Sequence, residues 1–137
     1  MVAGYSGTPL VRKLGIKEGF KLRVIDQPRG YWKLLGELPD GVRVVKSPSA
    51  SGLDFVHLFV KKAAPLERQL KSLRKKIAPA GMIWVSWPKK SSRVETEIDG
   101  NAVREIGLKS RLVDVKVCAV DETWSGLKFV IRVEDRP

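Results

Sequence analysis

Two short apolar runs separated by an amphipathic stretch constrain the fold of this 137-residue chain more than any other feature. Leu53 to Val60 is almost continuously apolar, and Met82 to Trp87 is a second such run. Runs of this length suit strands buried on both faces of a sheet. Between them Leu66, Leu70, Leu73 and Ile77 recur at steps of four, three and four, which is one stripe of a helix. The opposite side of that helix carries Arg68, Lys71, Arg74 and Lys75, and Pro79-Ala80-Gly81 is expected to end it. Strand, covering helix and strand in this order make the unit of a mostly parallel α/β sheet.

The flanks extend the alternation. Thr8-Pro9 reads as an N-cap followed by proline at the first helical position, with Gly15 closing a short helix. Phe20 to Ile25 reads as the first strand, Tyr31 to Leu35 as a helix stopping before Pro39, and Val42, Val44 and Val45 as a short second strand. Ser47 to Gly52 is linker-like but too short to separate two domains. Asp99 is placed to cap a helix containing Ala102, Val103 and Ile106. Leu112 to Val120 and Trp124 to Val133 are strands with only a tight turn between them. A parallel crossover needs about a dozen residues or more, so this pair must be antiparallel. The expectation is one domain over 1–137, a three-layer α/β Rossmann-like sandwich. Its six-stranded, mostly parallel sheet has the order 2-1-3-4-6-5 and ends in an antiparallel hairpin.

The formal net charge of +11, with a pI near 10.0, attracts nucleic acid, nucleotides or anionic surfaces. The basic residues run from Arg12 to Arg136 rather than in one tail, the pattern of a solvated surface as much as of a recognition site. Cys118 is the sole cysteine, which rules out an internal disulfide and suits a reducing compartment. No apolar run reaches the ~18–20 residues of a membrane span. Met1 to Gly7 lacks the charged-then-apolar order of a signal peptide, so a cytoplasmic chain is expected.

Ligands of open α/β sheets bind outside the carboxyl ends of the strands. Three turns are expected there: Asp26 to Gly30, Trp87 to Ser92, and Asp121 to Gly126. Trp87, Lys89, Lys90 and Ser91 offer an aromatic plane, ammonium groups and a hydroxyl, suited to a base and a phosphate. The plainer alternative is a solvated loop with Trp87 packed beneath it. Asp121, Glu122 and Trp124 face the same expected cleft, where an acid can accept a ribose hydroxyl or simply pair with Lys89 or Lys90. Asp26 and Gln27 end the first strand, and Asp26 meets either a ligand or its own turn amides. The ligand-binding set is thus Asp26, Gln27, Trp87, Lys89, Lys90, Ser91, Asp121, Glu122 and Trp124. Arg68, Lys71, Arg74 and Lys75 form the alternative, a surface for nucleic-acid phosphates. One histidine, His57, and one cysteine cannot make an ordinary zinc site.

The succession of elements over roughly 14–133 resembles the class I methyltransferase fold. Leu14 to Gly19 is similar to the lead-in of that family's first motif, Asp54-Phe55-Val56 to its central strand, and Ile77 to Gly81 to its "leucine-proline-glycine" helix end. The family's glycine-rich cofactor turn corresponds to Asp26-Gln27-Pro28-Arg29-Gly30, which has one glycine and a proline. The acid that the family uses for ribose hydroxyls is missing from Val45-Lys46-Ser47-Pro48. At whole-sequence level, Gly4 to Leu10, Trp84 to Ser91 and Val113 to Lys128 resemble the signature blocks of a bacterial family, domain of unknown function 3052. That resemblance implies a bacterial source and assigns no activity. A non-catalytic binding or regulatory domain for a small anionic ligand, such as a nucleotide, is the resulting expectation. A methyltransferase using S-adenosylmethionine through an atypical loop, or a basic nucleic-acid-associated protein, is the alternative.

Overall fold

Strand β3 (Leu53–Phe59) sits at the centre of the sheet, as its apolar run requires. The computed structural model describes residues 8–137, so most of the Gly4 to Leu10 block and all of Met1 to Gly7 lie outside the described residues. The other strands are β1 (Lys21–Ile25), β2 (Arg43–Val44), β4 (Ile77–Pro88), β5 (Val113–Ala119) and β6 (Trp124–Val130). The helices are α1 (Leu10–Lys13), α2 (Tyr31–Leu35), α3 (Ala63–Arg74) and α4 (Gly100–Lys109). The sheet order is β2-β1-β3-β4-β6-β5, with β6 antiparallel to both of its neighbours, as the sequence predicts.

Successive side chains of a strand point to opposite faces, and the two faces carry two cores. On one, Leu66, Leu70 and Leu73 of α3 and Val103 of α4 cover Val56, Leu58, Ile83, Val85 and Phe129. On the other, Leu14, Ile16, Tyr31 and Leu35 cover Phe55, Phe59, Trp84 and Trp124. The Trp84 indole N–H donates to the Leu14 carbonyl at 2.8 Å, which satisfies a buried donor and clips the N-terminal segment to the sheet. Helix α4 approaches β6 closely enough that a Cβ on Gly107 would lie 2.1 Å from Phe129. Asp99 caps α4, accepting from the Ala102 amide at 2.9 Å.

The structure moves several boundaries, among them the end of β6, which lies at Val130 rather than Val133, Val133 opening a short exposed turn. Pro9, rather than Thr8, takes the cap position of α1, with extended backbone at φ −55° and ψ 142°. Ile77 is not the last member of the α3 stripe but the first residue of β4, paired with Leu53. Pro79-Ala80-Gly81 does not end the helix: it forms an irregularity inside β4, where the register passes from Leu53↔Ile77 directly to Phe55↔Met82. A bulge uses the residues that otherwise break structure, and Gly81 is required there because a Cβ would meet the Leu53 carbonyl at 2.6 Å. Among the described residues no helix is long and apolar enough to cross a membrane.

Candidate ligand site

The rim is set by register. Ile25 pairs with Leu58, and Pro88 pairs with Trp124, so the turns after β1, β3 and β4 and the turn before β6 share one edge of the sheet. The Lys89 amide donates to the Thr123 carbonyl at 2.8 Å, and Lys89 Nζ donates to the Asp121 carbonyl at 2.8 Å. An open cleft of about 470 Å³ lies on this edge. Phe59, Val60, Pro65 and Trp124 give it an apolar lining, Asp26 and Pro28 form its β1 side, and Lys61 and Lys62 supply the positive charge.

Aromatic packing fixes the floor. Phe59 and Trp124 meet edge to face, with centroids 5.1 Å apart and an interplanar angle of 87°. His57 stacks on Phe59, and the edge of Tyr31 meets the same ring at 5.4 Å. Tyr31 Oη and Ser86 Oγ each lie 2.8 Å from one of the His57 ring nitrogens. Burial lowers the His57 pKa to about 3, so the imidazole is neutral near pH 7. One nitrogen therefore donates to its hydroxyl while the other accepts. Burial also raises the Tyr31 pKa, which keeps the phenol protonated. All three groups are buried and support the cleft from beneath.

The nine expected ligand residues do not all meet at the cleft. Asp26 lines the cleft at a left-handed φ of 58°, Gln27 is exposed on the same turn, and Trp124 is in the floor. Trp87 lies on the opposite face, in the core with Ile98 and Val103, because it sits one residue out of phase with the Pro88↔Trp124 pair. With Lys90 it borders a separate hollow of about 230 Å³. Ser91 is exposed in the short turn Lys90–Ser92. Asp121 is committed to its own turn: Oδ1 accepts from the Thr123 and Trp124 amides at 2.8 and 2.7 Å. Lys89 meets a carbonyl there rather than a carboxylate, and Glu122 is exposed. Of the expected set, Asp26 and Trp124 are thus brought together in the cleft, Gln27 stands exposed beside it, and Trp87 and Lys90 border the other hollow.

On α3, Lys71 pairs with Glu67 at 3.6 Å and Arg74 Nε donates to the Arg111 carbonyl at 3.2 Å. Arg68 and Lys75 are exposed. Phe59, Lys61 and Lys62 were not singled out by sequence, although they end or directly follow the most apolar strand, at the edge where ligands of such sheets bind. Their backbone is held in place from the other side: Glu97 N–H and Thr96 Oγ1 donate to the Lys61 carbonyl, at 2.8 and 3.0 Å, while Glu97 Oε1 accepts from the Ala63 amide at 3.3 Å.

Solved structures share this fold. A SAM-dependent methyltransferase from Aquifex aeolicus is 16% identical, with a TM-score of 0.58 over 89% of this chain and 88% of that one. A TehB-like SAM-dependent methyltransferase from Corynebacterium glutamicum is 11% identical, with a TM-score of 0.56 over 95% and 91%. Fibrillarin from Aeropyrum pernix, solved with natively bound S-adenosyl-L-methionine, is 12% identical, with a TM-score of 0.58 over 93% and 70%. The chain has a methyltransferase-like fold. At these identities the likeness reaches the fold and stops there. No protein-family model and no curated protein matches the chain, so its resemblance to domain of unknown function 3052 rests on the quoted blocks alone.

The turn after β1 departs from the glycine-rich pattern that the resemblance implies for a cofactor cradle. Asp26 holds a left-handed φ where a glycine would be unstrained, and Pro28 lacks an amide hydrogen. Strand β2 is two residues long and is followed by Val45-Lys46-Ser47-Pro48, without a carboxylate.

Proposed function

We propose that the cleft binds a small anionic ligand with a planar apolar part, such as a nucleotide, and that the chain is a binding or regulatory domain. The observation that carries this reading is the aromatic floor of Phe59 and Trp124 beside Lys61 and Lys62. A ring stacks or rests on such a floor, and ammonium groups meet phosphate as point charges. His57, Ser86 and Cys118 are buried, so the ionisable groups that reach the cleft are the Asp26 carboxylate and the Lys61 and Lys62 amines. Titration of adenine and guanine nucleotides at low salt, followed by tryptophan fluorescence and thermal shift, tests it. Binding that weakens at least about tenfold in a Lys61→Gln/Lys62→Gln variant is expected, from the loss of two charge-assisted contacts. Binding indifferent to that change, or no binding at millimolar nucleotide, rejects it.

A second reading is a methyltransferase that holds S-adenosylmethionine through contacts other than a glycine-rich turn. The solved-structure comparisons support this reading more directly than the first. Calorimetry with S-adenosylmethionine and S-adenosylhomocysteine separates the two, since the absence of heat at high protein concentration excludes the cofactor.

A further inference from the structure

Lys116 and Lys128 stand directly opposite one another on β5 and β6. Like charges in that relation oppose strand pairing. Lys17 adds a third positive charge: burial, then the fields of Lys116 and Lys17, lower the Lys128 pKa. Among the described residues none of these three lysines forms an ion pair. Asp114, the acid of β5, pairs in register with Phe129 on the other face and binds Arg104 at 3.2 Å. Lys116 Nζ instead donates to the Lys13 carbonyl at 3.4 Å, which positions the ammonium without neutralising it. The cluster lies four residues along β6 from Trp124, about 13 Å at the rise of a strand, so it is separate from the ligand cleft.

We propose that Lys17, Lys116 and Lys128 form a contact surface for the phosphate backbone of a nucleic acid, on the face of the β5–β6 hairpin beside α1. Phosphates would relieve the mutual repulsion of the three ammonium groups, and the net charge of +11 supplies long-range attraction. An acidic protein partner fits less well, because stable protein interfaces need an apolar centre. Of the exposed valines of β5, Val117 pairs with Leu127 and faces the other side. Val115, at the strand irregularity, is too small to supply such a centre alone.

The test is anisotropy of short labelled single-stranded RNA and duplex DNA across a salt series. A Lys116→Gln/Lys128→Gln variant is compared with Arg68→Gln/Lys75→Gln on α3. The hairpin variant is expected to bind at least about fivefold more weakly at low salt, with a salt slope shallower by roughly 1.4–1.8 for two lost phosphate contacts. The α3 variant is expected to keep the wild-type slope. Unchanged binding by the hairpin variant, or an equal loss in the α3 variant, overturns the proposal. So does equal competition by polyglutamate, which would assign the surface to an acidic protein. The hairpin variant is also expected to melt no lower than wild type, since a like-charge pair is removed. A lower melting temperature would contradict the repulsion on which the proposal stands.

Discussion

His57 lies nearly flat against Phe59, with ring centroids 4.3 Å apart and an interplanar angle of 25°. A fully buried, neutral histidine therefore underlies the aromatic floor of the ligand cleft, fixed by Tyr31 on one nitrogen and Ser86 on the other.

That arrangement makes stability depend on pH. The folded-state pKa of His57 is about 3, below the ordinary 6.5. As pH falls below 6.5 the unfolded chain takes up a proton that the folded chain does not, until about pH 3. The stabilisation is complete above 6.5 and is lost progressively through that window, by on the order of 2–3 kcal/mol at about pH 4.5. Urea unfolding at neutral and acid pH should show a shallower acid loss for His57→Gln than for wild type. Parallel pH profiles would remove His57 from the account.

Gly107→Ala should destabilise the protein even though alanine favours helices. Propensity alone predicts a gain of about 1 kcal/mol. A Cβ at this position would sit 2.1 Å from Phe129 Cε1, inside a packed core, and overpacking costs about 1–3 kcal/mol. Denaturant midpoints decide between the two signs.

Arg111→Gly should have the opposite effect. The Arg111 amide donates to the Leu108 carbonyl at 3.0 Å and the Leu112 amide to the Gly107 carbonyl at 3.1 Å, the paired bonds of a Schellman motif at the end of α4. Arg111 occupies its left-handed position at φ 65°, where glycine is unstrained. A gain of about 1 kcal/mol is expected by thermal or urea melting, because the left-handed backbone costs an L-residue about that much.

The two rim tryptophans should report ligand differently. Trp124 is in the cleft floor and Trp87 is on the far face of the sheet. Fluorescence quenching by a bound nucleotide should therefore survive Trp87→Phe and vanish in Trp124→Phe. The reverse result would move the site to the hollow beside Trp87 and Lys90.

The order of the sheet was readable because each central strand is a short apolar run and α3 has a clear stripe at Leu66, Leu70 and Leu73. The hairpin was readable because too little chain separates β5 from β6 to form a crossover. The differences between sequence and structure are local. Pro79 and Gly81 look like a stop, yet a bulged strand uses the same residues. Trp87 and Trp124 share an edge, but a single step along a strand reverses the face a side chain points to. That step is set by the Pro88↔Trp124 register, which no local pattern encodes. Lys61 and Lys62 carried a readable signal, since they follow the carboxyl end of the most apolar strand. Their charge was lost among basic residues spread over the whole chain.

Lys89 gives the two sides of the cleft unequal stiffness. By gripping the carbonyls of Asp121 and Thr123 it stitches the ends of β4 and β6 into one unyielding wall. No comparable seam joins the Asp26 to Gly30 segment to that wall among the described bonds. An incoming molecule would meet a fixed jaw on the Trp124 side, and any accommodation would fall to the proline-containing jaw that faces it.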